Sequence, residues 1–157
     1  MAFLKRSADY YATHLEARYG APRVTDEGGA DWLEDQLRVR LPLAYREFLL
    51  WADCEPGGLF VGSECRVTDV LENKEVLREL LLLNELDSLV VDWGNIVVFF
   101  SHQGYQGAWF VADGSDDPPI SYFIEGVSPR DSQSGRPLFA YDCMDQFLIG
   151  QLECFRR

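Results

Sequence analysis

Basic residues are scarce in this chain. Its 14 Lys and Arg stand against 26 Asp and Glu, a formal charge of −12 over 157 residues. That deficit argues against binding along a phosphate backbone, which needs a basic surface. Histidine is scarcer still, with two in the whole chain, so a His-based metal centre would have to recruit remote carboxylates. The four cysteines, Cys54, Cys65, Cys143 and Cys154, form no C-x-x-C pair and no zinc-ligand spacing. Reduced core thiols in a cytoplasmic protein are the expectation. No run approaches the roughly 18 apolar residues of a membrane span. The opening Met1-Ala2-Phe3-Leu4-Lys5-Arg6 places charge where a secretory signal needs its apolar stretch. Internal repeats, low-complexity tracts and linkers are missing, which predicts a single domain over 1–157. G-x-S-x-G, H-E-x-x-H and phosphate-loop patterns do not occur either.

What the chain does have is apolar patterning, with 47% hydrophobic residues, enough for a real core. Leu4, Ala8, Tyr11, Leu15 and Tyr19 step at helical spacing, and Gly20 supplies a stop. Trp32, Leu33 and Leu37 mark a second helix, with Thr25 or Asp26 as its cap. Leu41, Tyr45, Phe48, Leu49 and Ala52 mark a third, with Pro42 in its first turn and Pro56-Gly57-Gly58 ending it. Leu59-Phe60-Val61 and Cys65-Arg66-Val67 read as short extended pieces. A fourth helix follows Thr68 and Asp69, carrying Val70, Leu77, Leu80, Leu81 and Asn84 on one side. The pattern then changes. Ile96–Phe100, Ala108–Ala112 and Ile120–Ile124 are β-branched and aromatic runs joined by short turn-rich connectors, which predicts antiparallel neighbours. Ser128–Pro137 reads as a polar loop. A closing helix follows, capped by Asp142, with Met144, Phe147, Leu148, Leu152 and Phe155 as its inward stripe. The whole predicts one α+β domain: an antiparallel or mixed sheet of about four to six strands with N-terminal helices and a C-terminal helix around it.

Several of these pieces in this order resemble the SUKH superfamily, named for fungal Smi/Knr cell-wall regulators and their bacterial relatives. The matching residues are Leu41-Pro42-Leu43-Ala44-Tyr45-Arg46-Glu47-Phe48-Leu49-Leu50 with the later Gly57-Gly58, and Val98-Phe99-Phe100-Ser101-His102-Gln103-Gly104-Tyr105-Gln106. Ala108–Ala112, Ile120-Ser121-Tyr122-Phe123 and Asp142 to Phe155, with its Phe147-Leu148 pair, complete the set. The resemblance spans about Trp32 to Phe155, and order and spacing carry it. The shared residues are structural, so it implies a protein that binds and not an enzyme, with no cofactor. For bacterial members it implies an immunity protein that neutralises a partner toxin, often a nuclease or deaminase. For fungal members it implies a regulatory scaffold or adaptor, the alternative reading here.

Carboxylates crowd the ends of the predicted elements. Between residues 41 and 95, 4 basic residues face 11 acidic ones, whereas 1–40 holds 6 against 7. Asp53, Glu55, Glu64, Asp92, Asp113, Asp116 and Asp117 lie where side chains face water, and they are the candidate contacts for a basic protein partner. Tyr105 is the candidate aromatic anchor among them. Other chemistry fits poorly. A calcium loop starting at Asp113 would need Glu where Ile124 stands. Asp116 and Asp117 are too close in sequence to flank a glycosidic bond. Ser101 and His102 point to opposite faces of one strand, and His102 reads as a turn residue bonding backbone. A ligand site in the cleft between sheet and helices would need a polar cluster that the sequence does not reveal.

Overall fold

β-branched and aromatic runs build the centre of the molecule. The computed structural model describes residues 1–22, 25–52, 60, 62–127 and 138–156. Within these, five antiparallel strands form one sheet in the order β1 (Ser63–Glu64), β2 (Ile96–His102), β3 (Gln106–Val111), β4 (Ile120–Ile124) and β5 (Leu138–Tyr141). Each strand pairs with the next along the chain, as short connectors require. The helices are α1 (Lys5–His14), α2 (Glu16–Tyr19), α3 (Glu27–Leu37), α4 (Leu43–Ala52), α5 (Val70–Leu83) and α6 (Met144–Phe155). The predicted α+β class is what forms. No helix among the described residues is long and apolar enough to cross a membrane.

The central strands β2–β4 are covered on both faces. Leu77, Leu80 and Leu81 of α5, with Val90 from the following loop, cover Ile96, Val98, Trp109 and Phe123. The other helices enclose Val97, Phe99, Phe100, Phe110, Ile120 and Tyr122 on the opposite face. Strict alternation would send Phe99 and Phe100 to different sides. A register shift between Val98 and Phe100 inserts an extra residue, so both phenyl rings enter the same core. Phe99 packs on Tyr45, Phe110 and Phe147, while Phe100 meets Phe60, Tyr122 and Phe147. Each such burial stabilises the fold by roughly 2 kcal/mol.

Several local expectations are corrected. The first helix breaks at Leu15, whose φ of −123° separates α1 from α2. The extended piece expected at Cys65–Val67 lies two residues earlier, at Ser63–Glu64. Leu59-Phe60-Val61 shows Phe60 in a turn with φ 60°, and its neighbours fall outside the described residues. Strand β5 was not anticipated. Pro56-Gly57-Gly58 and Ser128–Pro137 also fall outside the described residues. Reduced cysteines were expected throughout, yet Cys65 is disulfide-bonded, while Cys143 and Cys154 are free. Two tryptophans whose burial the sequence does not decide, Trp93 and Trp109, have defined places. Trp109 is buried; Trp93 is half-buried, its carbonyl accepting from Lys74 Nζ at 2.8 Å and its ring under Arg78.

Helix N-termini leave backbone amides without intrahelical partners, and here distant segments satisfy them. Asp26 is an ordinary N-cap, its Oδ1 accepting from Gly29 N at 2.9 Å. At α1, Asp145 Oδ1 accepts from Ser7 N at 2.9 Å and from Ser7 Oγ at 2.6 Å. Just upstream, the Glu47 carboxylate accepts from the amides of Ala2, Phe3 and Leu4. Pro42 precedes α4 and its carbonyl accepts from Arg46 N, while Ala44 N donates to the carbonyl of Asp116 at 2.9 Å. At α6, Asp117 Oδ1 accepts from Met144 N at 3.0 Å. The side chain of Asp142, expected in that role, makes no cap; Cys143 holds the N-cap position.

Candidate functional site

Strand register decides which candidate carboxylates meet. Ile96 opposes Val111, and Asn95 accepts from the amide of Ala112, so the loop bearing Asp92 and the β3–β4 loop lie at one end of the sheet. Ile120 opposes Tyr141, which brings the β5–α6 corner and Asp142 to the same end. Asp92, Asp113, Asp116 and Asp142 are all exposed there. Among the described residues, the ion pair recorded for this group is Arg40–Asp116, at a loose 3.8 Å.

The loops are shaped by these same carboxylates. Asp92 Oδ2 accepts from Asn95 Nδ2 at 2.6 Å and its Oδ1 from Gly94 N at 2.9 Å, turning the chain into β2. Those bonds, Asn95 first, hold the Asp92 carboxyl below its ordinary pKa. Asp113 Oδ1 accepts from Ser115 N at 2.9 Å, an Asx turn that opens the β3–β4 loop. Asp92 and Asp113 are therefore held by the fold, and all four carboxylates face water.

The remaining candidates separate from this group. Asp53 and Glu55 fall outside the described residues. Glu64 on β1 and the half-buried Tyr105 lie at the opposite end of the sheet, since Ser63 opposes His102 and Glu125 N donates to Tyr105 O. Asp117 shares the acidic end but is half-buried on the α6 terminus. Burial, outweighing that amide bond, pushes its carboxyl above the ordinary range, so it serves the fold. Asp142 was missed as a surface residue because it reads as a helix cap. On α3, three further acids are neutralised internally. Arg46 reaches Asp31 at 2.6 Å, Glu27 at 3.0 Å and Glu34 at 3.1 Å, and the Asp31 bond above all raises its pKa.

At the far end of the sheet a cleft of about 360 Å³ opens between β2–β4 and the last turn of α6. His102 opens the glycine turn as expected, its carbonyl accepting from Tyr105 N at 3.1 Å, but the partner of its side chain needs correction. His102 ends β2, and its Nδ1 lies 2.9 Å from Ser63 Oγ on β1, a side-chain partner and not backbone. Its ring stands edge-on to Tyr105, 5.3 Å between centroids. Ser101 is buried on the other face, opposite Gly107. Across the cleft, Tyr122 Oη donates to Gln106 Oε1, and burial raises the phenol's pKa, so it stays a donor. This polar cluster, absent from the sequence reading, is assembled from strands far apart in the chain. Among the described residues no group of three or more His, Cys, Asp or Glu side chains could hold a metal ion.

No protein-family model matches the chain, and a search of curated proteins finds no match.

Proposed function

We propose that this is a SUKH-like immunity protein that neutralises a partner bacterial toxin domain by stoichiometric binding, without chemistry of its own, in the cytoplasm. The observation that carries the reading is the acidic end of the sheet. Asp92, Asp113, Asp116 and Asp142 stand exposed on three loops that the strand register brings to one end, two of them turned by the hydrogen bonds of Asp92 and Asp113. A fixed acidic rim on a chain of net charge −12 attracts a basic partner and raises its encounter rate. Toxins of the nuclease or deaminase class act on polyanions and carry such basic surfaces. The order of elements, helices then antiparallel meander then closing helix, agrees with what the resemblance implies.

Co-expression with any toxin-like domain found encoded beside this gene tests the proposal. Rescue of growth and co-purification as a fixed-ratio complex are expected; neither binding nor rescue would end the reading. Reversing Asp113 and Asp116 to Lys together should slow association by about tenfold at low salt and flatten its salt dependence. An unchanged association rate would move the contact surface away from this end. Asp117 is left intact in this variant, because its carboxylate holds α6.

A further inference from the structure

We infer that the cleft between the far end of the sheet and α6 is a binding site for an uncharged aromatic ring bearing a hydrogen-bond acceptor. The inference is independent of the partner reading, because the cleft lies at the opposite end of the sheet from the acidic rim. Its walls are Phe60, Phe100, Ile124 and Phe155, and its polar positions are Ser63, His102, Gln106, Tyr122, Gln151 and Cys154.

Three observations define the ligand. The first is charge. In a chain with 25% charged residues, no Asp, Glu, Lys or Arg among the described residues lines this cleft. An ionised ligand entering it would lose hydration without meeting an Asp, Glu, Lys or Arg counter-charge among the described residues. The second is shape. Phe60 stands edge-on to both Phe100, at 6.0 Å, and Phe155, at 5.6 Å, so the apolar side offers ring faces and edges of the kind that pack another ring. A volume of about 360 Å³ is at the lower end of small-molecule pockets. The third is the direction of the polar groups. Tyr122 occupies Gln106 Oε1, which fixes the amide and leaves its two Nε2 hydrogens as donors. Ser63 likewise occupies Nδ1 of His102 and leaves Nε2 for a ligand. Internal pairs thus hold a carboxamide donor and an imidazole edge beside aromatic walls, the combination that orients a neutral ring through one acceptor.

The test uses quinoline-3-carboxamide and its anionic near-isostere quinoline-3-carboxylate, titrated into the intact protein and followed by NMR of the side chains of His102, Gln106 and Gln151. The carboxamide should shift all three with saturation, and the carboxylate should bind at least about tenfold more weakly. Filling the cleft by Ile124→Trp or, separately, by Gln151→Trp should abolish the shifts while the amide spectrum elsewhere stays native. Gln151 is half-exposed on α6, so its variant guards against misfolding of the strand variant. Absence of saturable shifts, equal binding of the carboxylate, or binding that survives both filling variants would overturn the inference.

Discussion

Asp117 reads in the sequence as one of two adjacent loop carboxylates, but the fold uses it to receive the Met144 amide. Burial raises its pKa above the ordinary 3.8. The folded state then holds the proton more tightly than the unfolded chain does. The stability that follows is complete below about pH 4 and is lost as pH rises through the folded value. Asp117→Asn keeps an acceptor for Met144 and removes the titration. The unfolding free energy of wild type minus variant, measured in urea at successive pH, should therefore fall from pH 4 upward and then level. A difference that stays flat would mean the carboxyl titrates normally. Asp116, its neighbour, keeps its side chain outside while its carbonyl takes the Ala44 amide. Two adjacent aspartates thus divide surface from support, and nothing local to the sequence distinguishes them.

At the scale of elements, helix α5 is seated on the sheet through Gly107. A Cβ built at Gly107 would lie 2.8 Å from Leu77 Cδ1, and Leu77 is itself buried with little room to turn away. Gly107→Ala should cost about 1–3 kcal/mol by overpacking. Leu77→Ala alone should cost about 2–5 kcal/mol through its cavity. Combined, they should lose clearly less than the two added together, because each relieves the other; strict additivity in denaturant unfolding would show that the two do not meet. The three long strands were legible because runs such as Ile120–Ile124 are β-branched and aromatic between turn residues. Strand β5 was not, since Leu138-Phe139-Ala140-Tyr141 is four residues long and lacks alternation. The bulge at Phe99 was invisible too, because it depends on how two strands slide past each other and not on either alone. Helix faces were readable for α5 and α6, whereas the break at Leu15 was hidden under an unbroken apolar stripe. The acidic loops could be named from sequence, but their grouping needed the register. The cleft could not be read at all, since its lining runs from Phe60 to Phe155.

For the molecule as a whole, the acid excess is divided by use. Arg46 absorbs three carboxylates between α3 and α4, Glu47, Asp117 and Asp145 serve amides, and the exposed rim remains for solvent or a partner. The disulfide at Cys65 bears on where the protein works, because such bonds persist in oxidising compartments and are reduced in the cytosol. The cytoplasmic proposal expects Cys65 as a free thiol in the cell. Acid-quenched cells, denatured and alkylated before purification, should yield labelled Cys65. Unlabelled Cys65 in that experiment would assign the protein to an oxidising space. The borrowed caps have their own consequence. Residues 2–7 lean on Glu47 and Asp145, and the starts of α4 and α6 both lean on the β3–β4 loop. The chain is cross-stitched, and a cut that separated its helical front half from the meander behind would leave raw amides on both sides of the seam.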